Sequence, residues 1–232
     1  RELTTQQSIT QNQIEQFGDH VFKHGAMVIP GNLHYDANYQ AVILTSFTGT
    51  LANFDGTTIT GSTSGVTAKV QESLAASGDI KNTLSVKYLS AGTDNTSHTM
   101  FKNETITSSA GTGETAVVNE LTSGSAVHVE AGTYYINGFF VDVAAQTLVL
   151  DPYSVNTSYR VGFNIVETFI TSTDDTSLLD NAQGSSNENA TGSHRFKITL
   201  TLAKYQLTQT IDSTFIELMR IETGKIVKKI EN

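Results

Sequence analysis

The sequence predicts a mainly β protein, built of antiparallel hairpins and sandwich or barrel modules, with one short N-terminal helix. One observation is strict alternation, as in 196–202, where Phe, Ile and Leu alternate with Lys and Thr, the pattern of a strand with one buried face. A second is Asn137-Gly138, which separates the aromatic and β-branched runs 133–136 and 139–143 by two residues. Asn-Gly supplies the two positive-φ residues of a type I′ turn, so a hairpin is predicted here. A meander of antiparallel strands follows.

The first segment, 1–44, is predicted to hold the helix and the first strands. Ile14, Phe17, Val21 and Phe22 follow an i, i+3, i+7, i+8 spacing that is typical of one amphipathic helix, although Gly18 lowers helix propensity. The runs 26–29 and 39–44 are then expected to be strands, because turn residues lie between them.

The second segment, 45–109, is predicted to be an inserted small β-barrel or sandwich module. It is rich in Thr, Ser and Gly, and its strand-length apolar runs are 57–60, 66–70, 84–89 and 100–106. Residue pairs such as Asp55-Gly56 tolerate positive φ and fit tight turns between these runs. Insertion is tolerable because the entropy of loop closure grows slowly with loop length.

The remaining chain divides into a main antiparallel β domain, 110–207, and a C-terminal hairpin, 208–232. The domain contains a long polar loop, 171–194, and the hairpin turns at 222–225. Because the sequence starts with Arg1 and ends in a strand-like run, we expect it to continue into further residues of a longer protein.

The polar loop 171–194 is the first candidate for an inter-subunit contact. Loops of this length are uncommon unless they are functional or disordered, so a contact and a disordered surface excursion both remain open. The candidate contact residues are Asp174, Asp175, Leu178, Leu179, Asp180 and Asn181.

Composition argues against several classes of function. The formal net charge is −9, and no basic run is long enough to follow a nucleic acid backbone. The uncharged stretches are too short to span a bilayer, and the chain contains no Cys. His20 and His24 are four residues apart, but they lack a His-Glu-x-x-His pattern and a third ligand, so no zinc site is predicted. We expect no metal, no other cofactor, no membrane insertion and no nucleic acid partner.

Catalysis is not expected either. No Gly-x-Ser-x-Gly motif is present, and the remaining histidines are scattered along the chain. The carboxylates Glu167, Asp174, Asp175 and Asp180 leave one enzyme alternative open, a glycan-degrading hydrolase with paired carboxylates. Absence of a visible site argues against it, so no catalytic residue is assigned.

Four stretches carry a resemblance to a known family. They are Tyr134-Tyr135-Ile136-Asn137-Gly138-Phe139-Phe140-Val141-Asp142, Ser158-Tyr159-Arg160-Val161-Gly162, 174–184, and Gly192-Ser193-His194-Arg195-Phe196-Lys197-Ile198. Residues 125–207, and more weakly 22–25, resemble a domain of unknown function in baseplate-wedge or tail-fibre proteins of contractile-tailed bacteriophages.

The resemblance implies a β-rich, oligomeric structural protein of the virion, assembled in the host cytoplasm, with other tail or baseplate proteins as partners. A receptor-binding or glycan-binding tail module, with a host surface glycan as ligand, is the alternative. Position in the tail, oligomeric number, host and receptor stay open.

Overall fold

The structure is a computed structural model that describes residues 2–111 and 113–230. A helix, α1 (Glu2–Val21), precedes fourteen strands in these residues. The strands are β1 (Met27–Ile29), β2 (Leu33–Phe47), β3 (Thr58–Gly61), β4 (Thr67–Leu74), β5 (Thr83–Ser90), β6 (Thr105–Ser108), β7 (Thr115–Val129), β8 (Gly132–Ile136), β9 (Phe139–Val143), β10 (Gln146–Asp151), β11 (Tyr159–Ile170), β12 (Arg195–Gln206), β13 (Phe215–Glu222) and β14 (Lys225–Lys229). Two 3-10 turns, Leu51–Phe54 and Thr176–Leu178, lie in connections.

The mainly β, antiparallel fold class with a single N-terminal helix is confirmed. The helix is longer than the apolar spacing predicted, at 20 residues. The prediction of a strand from residue 100 was wrong at its start, because β6 begins only at Thr105 and Met100 is buried in the preceding loop. No helix in the described ranges combines the length and apolar character that crossing a membrane requires.

The two predicted hairpin turns are confirmed in detail. Asn137 and Gly138 have φ values of 46° and 85°, and Ile136 pairs with Phe139. Both positive φ values are those of a type I′ turn. The turn between β13 and β14 also has two residues with positive φ, because φ is 50° at residue 223 and 73° at residue 224.

One sheet closes into a six-stranded barrel. Its strand order is β7-β2-β5-β4-β3-β6, and β6 pairs back to β7, so this part of the sheet has no free edge. The barrel core contains Val42, Leu44, Leu51, Phe54, Ile59, Val66, Ala68, Val70, Leu84, Val86, Met100, Ile106, Ala116 and Val118. Closure therefore uses parts of β2 and β7 that lie outside residues 45–109.

The second core is formed by the rest of the chain. The three-stranded sheet β1-β8-β9, the four-stranded sheet β12-β11-β13-β14, strand β10 and the outer halves of β2 and β7 enclose it. The rings of Tyr134 and Phe163 pack edge to face at its centre, with 5.0 Å between centroids. Because the 15-residue strands β2 and β7 run through both cores, no flexible linker separates the barrel from the remainder.

Candidate docking surface

The long hairpin β11–β12 extends past the sheet that anchors it. Its twelve cross-strand pairs run from Tyr159 opposite Gln206 to Ile170 opposite Arg195. The neighbouring strand β13 pairs with β11 only as far as Asn164. Residues 166–199 thus form an arm, whose two strands have each other and little of the core as partners.

The arm presents an aromatic patch, which we define as Phe139, Phe169 and Phe196. Phe169 and Phe196 lie directly opposite each other, and their ring centroids are 5.6 Å apart. The ring centroid of Phe139, in β9, lies 5.4 Å from that of Phe196, so this contact joins the arm to the three-stranded sheet. Phe169 is 67% exposed and Phe196 is 41% exposed. Exposed aromatic side chains that cluster in this way are typical of protein interaction sites.

The carboxylates of the loop 171–194 are used to shape the loop itself. Asp174 accepts hydrogen bonds from the backbone N–H and hydroxyl of Thr171, at 2.9 and 2.8 Å, and these bonds lower its pKa. Asp175 caps the 3-10 turn that follows, and hydrogen bonds from the hydroxyl and N–H of Ser177 lower its pKa. Lowered pKa values keep both groups ionised, which is unsuitable for an acid catalyst.

The rest of the loop closes through its own backbone. Leu179 and Thr191 form an antiparallel bridge, and the N–H of Gly192 donates to the carbonyl of Leu178 at 2.9 Å. Leu178 is 8% exposed and therefore unavailable to a partner in this conformation. Asp180 and Asn181 are exposed beside the half-buried Leu179, in an open concavity of about 380 Å³. Of the six predicted contact residues, this concavity brings together Leu179, Asp180 and Asn181.

The base of the arm is tied to the β8–β9 turn by Asn137. Its Nδ2 donates to Glu167 Oε1 at 2.8 Å, and its backbone N–H lies 3.4 Å from Nδ1 of His24. A pocket of about 480 Å³ opens beside these three residues, next to Ser213 and Thr214. The proximity of Glu167 to His24 could not be predicted from the sequence, because only tertiary packing brings these distant segments together.

The histidines form no three-ligand metal site within the described residues. α1 ends at Val21, so His24 lies outside the helix and does not share a helix face with His20, despite their spacing of four residues. His20 Nδ1 lies 2.7 Å from the carbonyl of Gln16, one helical turn earlier. The Nδ1 atom of His24 instead contacts the backbone N–H of Asn137 in the β8–β9 turn.

A groove of about 500 Å³ crosses β10, β7, β2, β5 and β4 and was not predicted. His34 lies opposite His128 in the β2–β7 ladder, and Nδ1 of His128 is 2.8 Å from the Thr147 hydroxyl. Scattered in sequence, these two histidines meet because of strand register alone. The other side chains that line the groove are Asp36, Asn38, Tyr39, Gln40, Gln71, Val86, Lys87, Tyr88 and Ala126.

Comparisons with known proteins place the chain in a family. Neither curated proteins nor solved structures give a match. The sequence model of one family matches residues 90–232, which include β6 to β14 and the whole arm. Since this match covers more than half of the sequence, the chain belongs to the family described as Domain of unknown function (DUF4815).

Proposed function

We propose that the chain is a non-enzymatic structural protein of a bacteriophage tail, part of a baseplate or tail fibre, in which it docks neighbouring tail proteins. The observation that carries the docking role is the arm with its exposed aromatic patch. The assignment to a phage tail is supported by the resemblance of residues 125–207 to tail structural proteins. Other tail proteins and further copies of this chain are the partners, and the virion tail, assembled in the host cytoplasm, is the location.

The energetics of the arm favour an interface. Of residues 166–199, all of which the structure describes, Leu178 alone is buried. Ordering a backbone costs about 1–2 kcal/mol per residue, and apolar burial is the main term that offsets this cost. Within this chain the arm has little such burial. A partner that covers the aromatic patch would supply it.

The test is a comparison of particles that carry altered arms. Replacing Phe169 and Phe196 together by Ser is expected to reduce incorporation of the chain into tails, because the patch loses its apolar surface. Phe101→Ser is the matched control, since Phe101 lies by the barrel and is 42% exposed, close to the 41% of Phe196. Electron microscopy of the particles would show the position of the chain.

Three outcomes bear on the proposal. Loss of incorporation in the arm variant alone supports the docking role. Equal incorporation of both variants refutes the arm as the docking surface. Absence of the unaltered chain from tails refutes the assignment to a phage tail.

A glycan-binding tail module is the second candidate, and the groove beside His34 and His128 is the observation that favours it. Its amides and imidazoles can both donate and accept hydrogen bonds, as saccharide hydroxyls require, and Tyr39 and Tyr88 add aromatic surface. Its size falls in the range of small-molecule sites. Titration with host surface polysaccharide would test it, with Gln71→Ala expected to weaken binding. The Phe169 and Phe196 variant should bind normally if the groove is the site.

We propose no hydrolase function. Among the carboxylates considered from sequence, Asp174 and Asp175 are stabilised as anions by local hydrogen bonds, and Glu167 is paired with the amide of Asn137. Release of reducing ends from host polysaccharide, abolished by Glu167→Gln, would contradict this view.

A further inference from the structure

One face of α1 is docked on the protein body and fixes the rotation of the helix. The Tyr135 hydroxyl donates to Asp19 Oδ1 at 2.8 Å, and Gln11 Nε2 donates to the carbonyl of Gly138 at 3.0 Å. Gly18 is buried against the Tyr135 ring, which would lie 2.4 Å from a Cβ at this position. The helix therefore contacts the body through a residue without a side chain, flanked by polar groups.

A second face of α1 points to solvent and is apolar toward its C-terminal end. Ile14 is 41% exposed, Phe17 is 66% exposed and Val21 is 57% exposed. The apolar side of an amphipathic helix normally faces the core. In α1 these three residues face solvent, because the contact with the protein body is made on the Gly18 side.

The exposed residues fall on a heptad seam. Gln7, Thr10, Ile14, Phe17 and Val21 are separated by three, four, three and four residues, which is the spacing of the a and d positions of a coiled coil. We call these five residues the α1 seam, and all five are exposed. This spacing suits packing against a second helix.

The α1 seam contains no charged residue and has a polar N-terminal part and an apolar C-terminal part, so an identical seam from another copy matches it along its length. The net charge is −9, so copies of the protein repel one another over most of their surfaces. Residues 5–14 of α1 carry no charged side chain, and the carboxylate of Asp19 is turned to Tyr135. The α1 seam is thus a surface on which two copies meet with little repulsion.

We propose that the α1 seam packs in parallel against the α1 seam of a second copy of this chain. In a parallel pair, Ile14, Phe17 and Val21 each meet their own counterparts, and Gln7 meets Gln7, whose amides can bond to each other. An antiparallel pair would place the polar Gln7 end against the apolar Val21 end and bury amide groups without partners. The inference deepens the homo-oligomer part of the proposed function and rests on it.

Cysteine cross-linking tests the pairing directly, because the unaltered chain has no Cys. Val21→Cys and Thr10→Cys are expected to form intermolecular disulfides under mild oxidation, since equivalent seam positions approach within disulfide range in a parallel pair. Asn12→Cys is the control on the same helix, because Asn12 is exposed and lies about 180° from the seam centre at 3.6 residues per turn. Linking at both Thr10 and Val21 but not Asn12 supports the parallel pair. Equal linking at all three positions, or none at the seam, overturns it.

Measurement of solution mass provides the second test. The purified chain is expected to be an oligomer by light scattering, and Phe17→Ser is expected to lose the oligomer peak. Phe101→Ser, on the barrel side, should leave it unchanged. A monomeric unaltered chain at every accessible concentration overturns the inference.

The two proposals can fail separately. A chain that self-associates through α1 but is absent from tails refutes only the tail assignment. A chain that enters tails as a monomer refutes only the α1 pairing.

Discussion

Glu104 is predicted to hold two turns of the barrel together, and its replacement by Gln should destabilise the protein. The side chain is buried, at 4% exposure, in the loop before β6. Its carboxylate accepts hydrogen bonds from the backbone N–H groups of Thr63, Ser64 and Phe101 and from the Ser64 hydroxyl. Four donors converge on this carboxylate, and none of the ion pairs among the described residues includes it, so these hydrogen bonds compensate its desolvation.

The expected loss of stability follows from the difference in hydrogen bonding between a carboxylate and an amide. Gln keeps one acceptor oxygen and replaces the other by an NH₂ group. The N–H groups of this NH₂ would face backbone N–H groups, with which they cannot form hydrogen bonds. At least one backbone N–H then loses its partner, at a cost of about 1–3 kcal/mol, and the remaining bonds lose charge assistance. We expect Glu104→Gln to lower the free energy of unfolding by about 2–4 kcal/mol, a large part of the stability of a typical domain.

Urea denaturation followed by far-UV circular dichroism measures this change. Glu120→Gln is the control, because Glu120 is exposed on β7 of the same barrel, and its effect should stay within about 0.5 kcal/mol. If Glu104→Gln leaves stability unchanged or raises it, the cost of burying the charge exceeds the benefit of its hydrogen bonds, and the reasoning is refuted.

Three further predictions concern the loop, the helix and the four-stranded sheet. The pKa of Asp174 is lowered, so its contribution to loop order is present above the unfolded pKa of about 3.9 and is lost as pH falls toward the folded value. The side-chain carboxyl carbon resonance of Asp174, followed by NMR, should show protonation only below about pH 4, and protonation between neutral pH and pH 5 would contradict this. Gly18→Ala should weaken the packing of α1 on the protein body, because the new methyl group would clash with the Tyr135 ring, although Ala favours the helix intrinsically by about 1 kcal/mol. Faster amide hydrogen exchange in α1 would show this weakening, whereas a raised melting temperature would contradict it. Gly162→Ala should lower the free energy of unfolding by at least about 3 kcal/mol, because its Cβ would lie 1.9 Å from the Ile216 carbonyl oxygen; near-native stability in urea would refute the close approach.

Part of the fold could be predicted because it is encoded locally. The Asn137-Gly138 turn needs two positive φ values, and the residue types that permit them stand side by side in the sequence. Alternation in β12 similarly predicts one apolar face, since side chains alternate across a strand; Leu200 and Leu202 of this face are buried, whereas Phe196 is exposed. Neither inference depends on knowing which segment is the partner.

The candidate site could be predicted only in part. A long polar loop is visible from composition, and Asp180 and Asn181 in this loop are exposed, whereas their contact with another subunit stays a prediction. The burial of Leu178 and the meeting of Phe169 with Phe196 depend on loop closure and strand register, which span many residues. The periodic spacing of α1 indicated an apolar face without indicating which way that face would point.

By itself the sequence determined a β-rich chain, its hairpin turns, an N-terminal helix with one apolar face, and an acidic composition. Tertiary structure decided that β2 and β7 run through two cores, that β6 closes the barrel, and that α1 docks through Gly18. The physical reason is that turn and alternation preferences are properties of neighbouring residues. Barrel closure, helix rotation and the position of the arm depend on packing between residues that are far apart in the chain, whose free energy no local pattern contains.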